Sequence, residues 1–497
     1  MHQRSTSSPG LAKILGSVLL LGILLSACLP TSGPQFPQVP VETIPATSIP
    51  IPITERPVYA PGELVDYTVQ SGDTLSNLAF RFNTTIQEIL EENPVIPEDA
   101  TTLPPGLPMQ IPIYYESLWG PQYQILPNCS YVNGPAQIEF NLEEFVQSQP
   151  GWFKDYEQYA ADQQRSGAEI IDYISTHFSI SPRILLALLE YQLGALSDPN
   201  PPDGLLTGYP LGYQASGYHG LYIQLVWAAN RLNQGYYGWL EGRLDTLEFS
   251  DETIEHPDPW QNAATVALQY YFSRLESKGD YYQSIGPAGF AATYQKLFGD
   301  PWTCEPLIPG SLRQPAMILP FKQGKTWAFT GGPHTGWGQG DPWAALDFAP
   351  PSNVGGCEIT GEWAVAVAPG VIARSEPGLV ELDLDGDGDH RTGWVVLYLH
   401  LGTQDKIAPG STVAAGDQLG HPSCEGGEST GSHIHIARKY NGEWIPAYGV
   451  LPFNLSGWIA QQGGSEYQGT LTRFGKVIIA SVEAEEKSLI SAPADGQ

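Results

Sequence analysis

The sequence predicts a multidomain protein: a small βααβ module, an α-helical middle domain and a C-terminal antiparallel all-β domain. Three observations lead to this prediction. A chain of 497 residues is too long for one ordinary hydrophobic core, so about three domains are expected. Helical apolar spacing dominates residues 125–305. Beyond residue 325, apolar residues alternate with polar ones between Gly- and Pro-containing turns, which is typical of an antiparallel sheet.

The first 27 residues have the composition of an export signal. Basic Arg4 and Lys13 precede an apolar run that is too short to span a bilayer comfortably. The run ends in LSAC, which resembles the bacterial lipobox and implies lipidation of Cys28. We therefore expect a protein anchored through lipid on the outer face of the cytoplasmic membrane and associated with the cell wall. An ordinary secretory signal followed by an incidental cysteine is the alternative.

Residues 28–62 are rich in proline and almost free of charge, so they predict an extended tether rather than a core. At about 3.1 Å per residue, such a tether reaches on the order of 100 Å from the anchor. The net charge of the whole chain is −30, which argues against nucleic acid as a partner because nucleic acid needs a basic face.

Four cysteines follow Cys28, and an even number in an exported chain favours disulfides. Three pairings are possible. The domain layout selects Cys129–Cys304 and Cys357–Cys424, because each of these pairs closes one domain on itself. A thiolate zinc site is the rival interpretation, but no C-x-x-C spacing supports it.

Residues 63–114 show the order strand, helix, helix, strand. The stretch SGDTLSNLAFRFNTTIQEILEEN resembles the LysM module closely in its Gly-Asp-Thr-Leu turn and apolar spacing. The resemblance implies binding to glycans that contain N-acetylglucosamine, in peptidoglycan or chitin. It places the sugar groove between the turn after the first strand and the loop after the second helix, at Gly72, Asp73, Thr74 and Asn93.

The helical domain at residues 125–305 resembles lysozyme-like lytic transglycosylases weakly, in the stretch ALLEYQLG. Gln192 occupies the position at which that family carries its catalytic glutamate, and an amide cannot donate the acid proton that glycosidic cleavage needs. Glu190 is two residues away, which is about 200° around a helix. We therefore expect a non-catalytic glycan-binding or spacer domain, followed by a linker at residues 306–324.

The last domain, expected at residues 325–460 and followed by a C-terminal strand and tail at 461–497, carries most of the histidines. In the strand SHIHIAR, His433 and His435 lie two residues apart and point to the same face. His400 ends another apolar strand, and His334 and Asp347 add an imidazole and a carboxylate. A catalytic zinc site uses three such ligands and an open position for water.

This domain resembles the lysostaphin-like, LytM-type zinc endopeptidases of bacterial cell walls, in the phrases YLHL and ESTGSHIHIAR. The resemblance implies that His334, Asp347 and His435 hold Zn²⁺, that His433 takes the proton of the attacking water, and that His400 donates to the oxyanion. The expected function is hydrolysis of peptide bonds in the stem or cross-bridge peptides of peptidoglycan. The alternative is a non-catalytic wall-binding lipoprotein that regulates another hydrolase.

The spacing of the first two ligands departs from the family pattern, which has three residues between them. His334 and Asp347 are separated by a Gly-rich stretch with an Asp-Pro turn signal, so we expect an inserted loop. Asp341 is the rival ligand, but its place before a proline favours a turn cap. We further expect the loop, with Trp337 and Trp343, to form one wall of the substrate groove.

A second group of carboxylates lies in DLDGDGDHRTGW. Asp383, Asp385 and Asp387 match the opening of a calcium loop, with Asp389 as a further candidate ligand. The twelfth position is Trp394 rather than a bidentate glutamate, so an EF-hand is not expected. A hairpin tip that either binds Ca²⁺ or stays hydrated fits the pattern equally well.

Overall fold

The structure is a computed structural model that describes residues 58–493, except 115, 118, 353 and 354. The signal peptide, the lipidation site Cys28 and nearly all of the tether lie outside the described residues. In the part of the chain that is described, no helix is long and apolar enough to cross a membrane.

The first module has the βααβ order that its sequence predicts. Its elements are β1 (Glu63–Thr68), α1 (Leu75–Arg81), α2 (Ile86–Glu92) and β2 (Pro108–Ile113), and β1 pairs with β2 in antiparallel register. Thr74 and Thr85 each begin a helix with a reciprocal capping box, which satisfies backbone N–H groups that would otherwise lack partners. Both helices are therefore fixed by local sequence signals.

The middle block is mainly helical, with two short hairpins. Its elements in chain order are α3 (Leu142–Ser148), β3 (Glu157–Ala160), β4 (Gln163–Ser166), α4 (Gly167–Phe178), α5 (Pro182–Leu193), α6 (Leu221–Leu240), β5 (Leu247–Glu248), β6 (Ile254–Glu255), α7 (Ala263–Ser273), α8 (Lys278–Ser284) and α9 (Phe290–Phe298). Helix α7 is buried along its whole length. The disulfide Cys129–Cys304 closes this block, as the sequence predicts.

The C-terminal region is all β. Its strands are β7 (Thr326–His334), β8 (Ala345–Ala349), β9 (Ala364–Val365), β10 (Gly370–Glu376), β11 (Gly378–Asp383), β12 (Trp394–Leu401), β13 (Thr412–Val413), β14 (Gln418–Gly420), β15 (Ile434–Tyr440), β16 (Glu443–Trp444), β17 (Asn454–Leu455), β18 (Trp458–Gln462), β19 (Gly469–Arg473), β20 (Lys476–Ile479) and β21 (Leu489–Ser491). The large sheet has the order β13-β10-β11-β12-β15-β8-β7-β21, with β16 paired to β15. Strands β17 to β20 form a second sheet, so residues after 460 build more than a strand and tail.

The two faces of the large sheet pack against different partners. One face, with Phe348, Tyr398 and Ile434, forms the core of the β region itself. The opposite face, with Leu399 and Trp444, belongs to the same buried cluster as the helical block. Burying a side chain of this size contributes on the order of 2 kcal/mol. Separating the helical block from the sheet would therefore expose a substantial apolar surface.

The segment at residues 306–324, expected to be a linker, is packed rather than extended. Its apolar residues are divided between the two cores: Leu307, Ile308 and Leu312 join the helical cluster, and Met317, Leu319 and Phe321 join the β cluster. The first module is also docked, since Phe82 packs edge-on against Trp260 with ring centroids 4.9 Å apart. The described residues after the tether therefore form a continuous packed body.

Candidate metal centre

Three neighbouring strands bring His334, Asp347 and His435 together. His334 ends β7, Asp347 lies in the middle of β8, and His435 lies near the start of β15. Asp347 is directly opposite His435 in the register of β8 and β15. His334 pairs with Ala345 across irregular register at the end of β7. Residues 335–344 form the hairpin connection between β7 and β8. The long stretch of sequence between His334 and Asp347 therefore does not separate them in space.

The three side chains form a compact buried cluster. Asp347 Oδ1 lies 3.3 Å from His334 Nε2 and 3.4 Å from His435 Nδ1. The two imidazole nitrogens are 3.0 Å from each other. Two per cent of the His334 side chain, and less than a tenth of the other two, is exposed to solvent. One carboxylate and two imidazoles at such distances are a chemically suitable donor set for a divalent metal ion.

Hydrogen bonds on the outer side of the cluster orient the ligands. His334 Nδ1 lies 2.8 Å from the Gly332 carbonyl, and His435 Nε2 lies 3.1 Å from the Gly336 carbonyl. Because a carbonyl only accepts, each of these nitrogens carries the proton, and the opposite nitrogen of each ring presents its lone pair to the cluster. Asp347 Oδ1 is buried and has no hydrogen-bond donor. These features fit a zinc ion held by His334 Nε2, Asp347 Oδ1 and His435 Nδ1.

A glycine makes room for the carboxylate. A Cβ atom on Gly331, which pairs with Asp347 across the β7–β8 ladder, would lie 2.5 Å from Asp347 Oδ2. No real Cβ contact is that short, so any side chain here would displace the carboxylate. Gly331 therefore has a specific steric role beside Asp347.

The charges within the cluster stabilise one another. Burial alone would raise the pKa of Asp347, but the neighbouring His334, together with His435 and His433, holds it well below its usual range. Burial opposes protonation of His334, but Asp347 raises the pKa of this histidine. Burial lowers the pKa of His435, although the adjacent Asp347 raises it. Asp347 is thus ionised, which is the form that binds a metal.

His400 is placed by a β-bulge. Gly378 pairs with Leu401 and Leu379 pairs with Leu399, so His400 is the extra residue on β12. Its φ of +65° lies in the left-handed region, which is uncommon for a residue with a side chain and concentrates at functional sites. The bulge brings the His400 ring to 4.5 Å from the His433 ring. Burial, together with the adjacent His433 and His435, lowers the pKa of His400 to about 3.

His433 is the most exposed of the clustered histidines, with 18% of its side chain accessible. Its Nδ1 donates to the Gly431 carbonyl at 2.8 Å, and its Nε2 lies 3.7 Å from Asp347 Oδ1. His400 Nδ1 likewise donates to the Glu425 carbonyl at 3.0 Å. In its neutral form each ring therefore carries its proton on Nδ1, which leaves Nε2 as the acceptor nitrogen.

The second disulfide, Cys357–Cys424, holds the loops beside these histidines, and it is the pairing that the sequence predicts. Cys424 lies between Ser423, whose hydroxyl donates to the His400 carbonyl, and Glu425, whose carbonyl orients the His400 ring. Across the disulfide, the Gly356 carbonyl accepts from the backbone N–H of Ser432 at 3.0 Å. The bond therefore ties together the two loops that support His400 and His433.

Two residues beside the cluster were missed by the sequence analysis. The Tyr467 ring stacks on the His334 ring with centroids 4.2 Å apart, although 48% of the tyrosine remains exposed. Glu466 has a buried carboxylate oxygen without a hydrogen-bond partner, and burial raises the pKa of this residue. Both lie in the turn between β18 and β19. No motif marks them, because only the folding of the second sheet brings this turn to the ligand strands.

The inserted loop packs on the helical block, and its expected role as one wall of the substrate groove stays a prediction. Trp337 contacts His177 with ring centroids 4.5 Å apart, and Gln339 N–H donates to Asn230 Oδ1 at 2.7 Å. Asp341 forms an ion pair with Arg243 and is not among the clustered ligands. Arg243 also lies 4.9 Å over the Trp343 ring. The loop therefore attaches the sheet to the helices.

The helical block has no free carboxylic acid where lytic transglycosylases carry their catalytic glutamate. Gln192 Oε1 accepts the Tyr271 hydroxyl at 2.8 Å. The Glu190 carboxylate accepts the backbone N–H groups of Leu196 and Ser197, which follow the end of α5. Both side chains are used to hold the fold, which agrees with a non-catalytic block.

The side chains expected to bind glycan in the first module form hydrogen bonds and ion pairs within the module itself. Asp73 is 1% exposed, is paired with Arg81 and accepts the Tyr67 hydroxyl. Asn93 bonds the backbone of Gln110 through both ends of its amide. Thr74 caps α1. The placement of a sugar groove at this turn and loop therefore stays a prediction, and it would not use the side chains of Asp73 and Asn93 that are paired within the module.

The acidic hairpin after β11 gives calcium no support. Asp383, Asp385 and Asp387 bring carboxylate oxygens together, but the Asp383 oxygens accept three backbone N–H groups, at 2.8–3.1 Å. Asp389 is paired with Arg391 at 2.7 Å and lies outside this group. The carboxylates are accounted for by the turn itself.

Comparison with known proteins agrees with this architecture. Residues 67–112 match the model of the LysM domain, and residues 124–311 match that of the LasA N-terminal domain, so the helical block has a family assignment other than the weak lysozyme-like resemblance. Protease LasA of Pseudomonas aeruginosa is 28% identical over 363 residues, covering 68% of this chain and 81% of that protein. Beta-lytic metalloendopeptidase of Lysobacter enzymogenes is 32% identical over 164 residues, covering 31% of this chain and 85% of that protein. The solved M23 metalloprotease pseudoalterin is 28% identical, with a TM-score of 0.29, covering 34% of this chain and 96% of that one.

A LysM domain joined to a β region of this kind defines a metalloendopeptidase with a peptidoglycan-binding module. Within that class, the chain belongs to the family of the beta-lytic metalloendopeptidases.

Proposed function

We propose that this protein is a lipid-anchored zinc endopeptidase that hydrolyses peptide bonds in the stem or cross-bridge peptides of peptidoglycan. One observation carries the proposal: the buried cluster of His334, Asp347 and His435 leaves a carboxylate oxygen without a donor, beside two further imidazoles. When bound there, zinc would polarise the scissile carbonyl and make a water molecule acidic enough to attack at neutral pH.

His433 is proposed as the proton acceptor. Its Nδ1–H is committed to the Gly431 carbonyl, so Nε2 is the nitrogen that takes the proton, and it is the more exposed of the two non-ligand imidazoles that face the cluster. After the attack, the same Nε2–H donates the proton to the departing amine, as general acid–base catalysis requires. Position and tautomer are thus set by one backbone hydrogen bond.

The role of His400 is proposed in a narrower form than the sequence suggests. Its Nδ1–H donates to the Glu425 carbonyl, so the neutral ring has no proton on Nε2. Donation from Nε2 to an oxyanion therefore requires the His400 ring to gain a proton first. We propose that His400, whose ring lies 4.5 Å from that of His433, stays neutral and offers its Nε2 as a hydrogen-bond acceptor beside the attacking water.

The remaining parts of the chain support delivery to the wall. The LysM domain is proposed to bind the glycan of peptidoglycan, and the lipid on Cys28 is proposed to hold the protein at the outer face of the cytoplasmic membrane. A Pro-rich tether between them would let the packed body reach the wall. The helical block contributes no catalytic side chain to this scheme.

The test is incubation of purified peptidoglycan with the wild type and with His433→Ala. We expect new free amino groups with the wild type, and a loss of on the order of 100-fold or more in rate with the variant while bound zinc stays unchanged. New reducing ends would indicate glycan cleavage instead. A wild type that binds zinc but releases no amino groups from any wall preparation would contradict the proposal.

A further inference from the structure

A partly open cavity of about 120 Å³ lies where the LysM domain, the helical block and the β region meet. The LysM turn at Gly72 and Thr74 forms one side, the end of α6 forms another, and residues from Glu443 to Leu451 form the third. It is separate from the metal centre, whose histidines are absent from its lining. Contributions from three parts of the chain mean that the cavity exists only in the docked structure.

The ionisable residues that line the cavity are acidic. Glu241 and Glu443 both line it, and no lysine, arginine or histidine does so among the described residues. Helix α6 ends at Leu240, next to Glu241, so the negative end of the helix dipole adds to this potential. Both carboxylates lie in a region with little solvent, where an uncompensated negative charge is costly.

One carboxylate oxygen in the cavity has no partner. Glu241 Oε2 accepts from Arg243 at 2.9 Å and from the Tyr448 hydroxyl, but Glu241 Oε1 is buried without a hydrogen-bond donor. Only 7% of the Glu241 side chain is exposed. Glu443 Oε2 accepts the Tyr236 hydroxyl at 2.8 Å, which leaves its Oε1 beside the LysM turn.

The pKa values of the two lining carboxylates are both raised. Burial raises the pKa of Glu443 to about 7, although the bond from Tyr236 lowers it. Burial also raises the pKa of Glu241 to about 7, against the effect of Arg243. A buried cation near both groups would restore their ionised forms.

The rest of the lining is aromatic and aliphatic. Tyr237, Trp444 and Tyr448 contribute rings, and Leu240, Ile445 and Leu451 contribute alkyl surface. Aromatic rings beside carboxylates recognise organic ammonium groups through cation–π attraction and charge-assisted hydrogen bonds. Alkyl walls suit the carbon chain that carries such a group.

We propose that this cavity, defined by Glu241, Glu443 and the surrounding rings, binds a primary ammonium group at the end of an aliphatic chain. The ammonium donates to Glu241 Oε1 and Glu443 Oε1, and the chain lies against Leu240 and Leu451. The group comes either from a free diamine or from the side chain of a diamino acid in a peptide. Both sources present the same chemistry to the cavity.

The test is calorimetric titration of the full chain with cadaverine, with Nα-acetyl-lysine amide and, as an uncharged match, with pentanediol. Saturable binding of at least one amine and none of the diol is expected. Binding of the lysine derivative identifies a peptide side chain as the source, and binding of cadaverine alone identifies a free diamine. Glu443→Gln and Glu241→Gln should each weaken binding about tenfold or more, which corresponds to about 1.4 kcal/mol.

The matched control is Glu248→Gln, because the Glu248 side chain is 65% exposed and does not line the cavity. It should bind the amine as the wild type does. Equal binding of diol and amine, absence of binding by either amine, or unchanged affinity in both cavity variants would overturn the proposal. An N-acetylglucosamine oligomer that displaces the amine would also overturn it and make the cavity a sugar site. The measurement is independent of peptidase activity.

Discussion

The metal centre and the three-part cavity both bury carboxylates, but the pKa is lowered in the first region and raised in the second. Asp347 is surrounded by three imidazoles, and its pKa lies well below the usual range. Glu443 is as deeply buried, but only a tyrosine hydroxyl donates to it, and burial raises its pKa to about 7. Burial by itself therefore does not set the charge of a carboxylate. The groups packed around it decide whether it stays ionised.

The largest effect is expected from Asp347→Ala, which removes the only carboxylate from the ligand cluster. Bound zinc should fall from about one ion per chain to near zero, and hydrolysis should fall by a factor on the order of 1000 or more. Metal analysis after dialysis and release of amino groups from peptidoglycan measure the two quantities.

Asp341→Ala is the matched control, since Asp341 lies in the same hairpin loop but pairs with Arg243. It should retain zinc. Zinc loss in the Asp341 variant with retention in the Asp347 variant would reverse the assignment of the ligand.

A smaller effect is expected from Gly331→Ala. The new Cβ would lie 2.5 Å from Asp347 Oδ2, so the carboxylate must move while every ligand stays in the chain. We expect zinc affinity to fall by about 10–100-fold, comparable with the loss of a group that orients a ligand. Competition with a chelator measures the change.

Gly361→Ala serves as the control, because nothing lies within 4 Å of a Cβ at that position. If Gly331→Ala binds zinc as tightly as this control, the glycine does not position Asp347. The difference between Asp347 and the cavity carboxylate Glu443 would then rest on the neighbouring charges alone.

The smallest effect concerns stability at the cavity. The pKa of Glu443 is about 7 in the folded protein against an ordinary value of 4.5, so the folded state binds this proton more tightly. The resulting stability is present below pH 4.5 and is lost as the pH rises through 7, at a cost of about 3 kcal/mol at most. Glu443→Gln should therefore raise the unfolding temperature by several degrees at pH ~8 and change it little at pH ~4.

Thermal unfolding at the two pH values, with Glu248→Gln as the control, measures this difference. A gain in the Glu443 variant that is the same at both pH values would show that packing, rather than an uncompensated charge, is responsible. Addition of a bound amine at the higher pH should reduce the gain, because the cation then stabilises the wild-type carboxylate.

Much of the site could be predicted because its signals are local. The H-x-H pair puts His433 and His435 on one side of a strand, and the resemblance to the LytM-type endopeptidases singles out Asp347 as a ligand. The four elements of the LysM domain follow from apolar spacing and from the caps Thr74 and Thr85. The packing of the inserted loop on the helical block could not be predicted, because the sequence does not show which surface Trp337 meets.

What the sequence by itself determined is therefore the order of elements, the donor types of the metal cluster and the two disulfides, all of which depend on short-range periodicity, residue chemistry or domain layout. The tertiary structure decided how these parts meet. It placed the β-bulge that turns His400, the stacking of Tyr467 on His334, and the inward face of the LysM turn beside Glu443. These features join residues that are distant in the chain, and such contacts are chosen by the burial of whole surfaces rather than by local propensity.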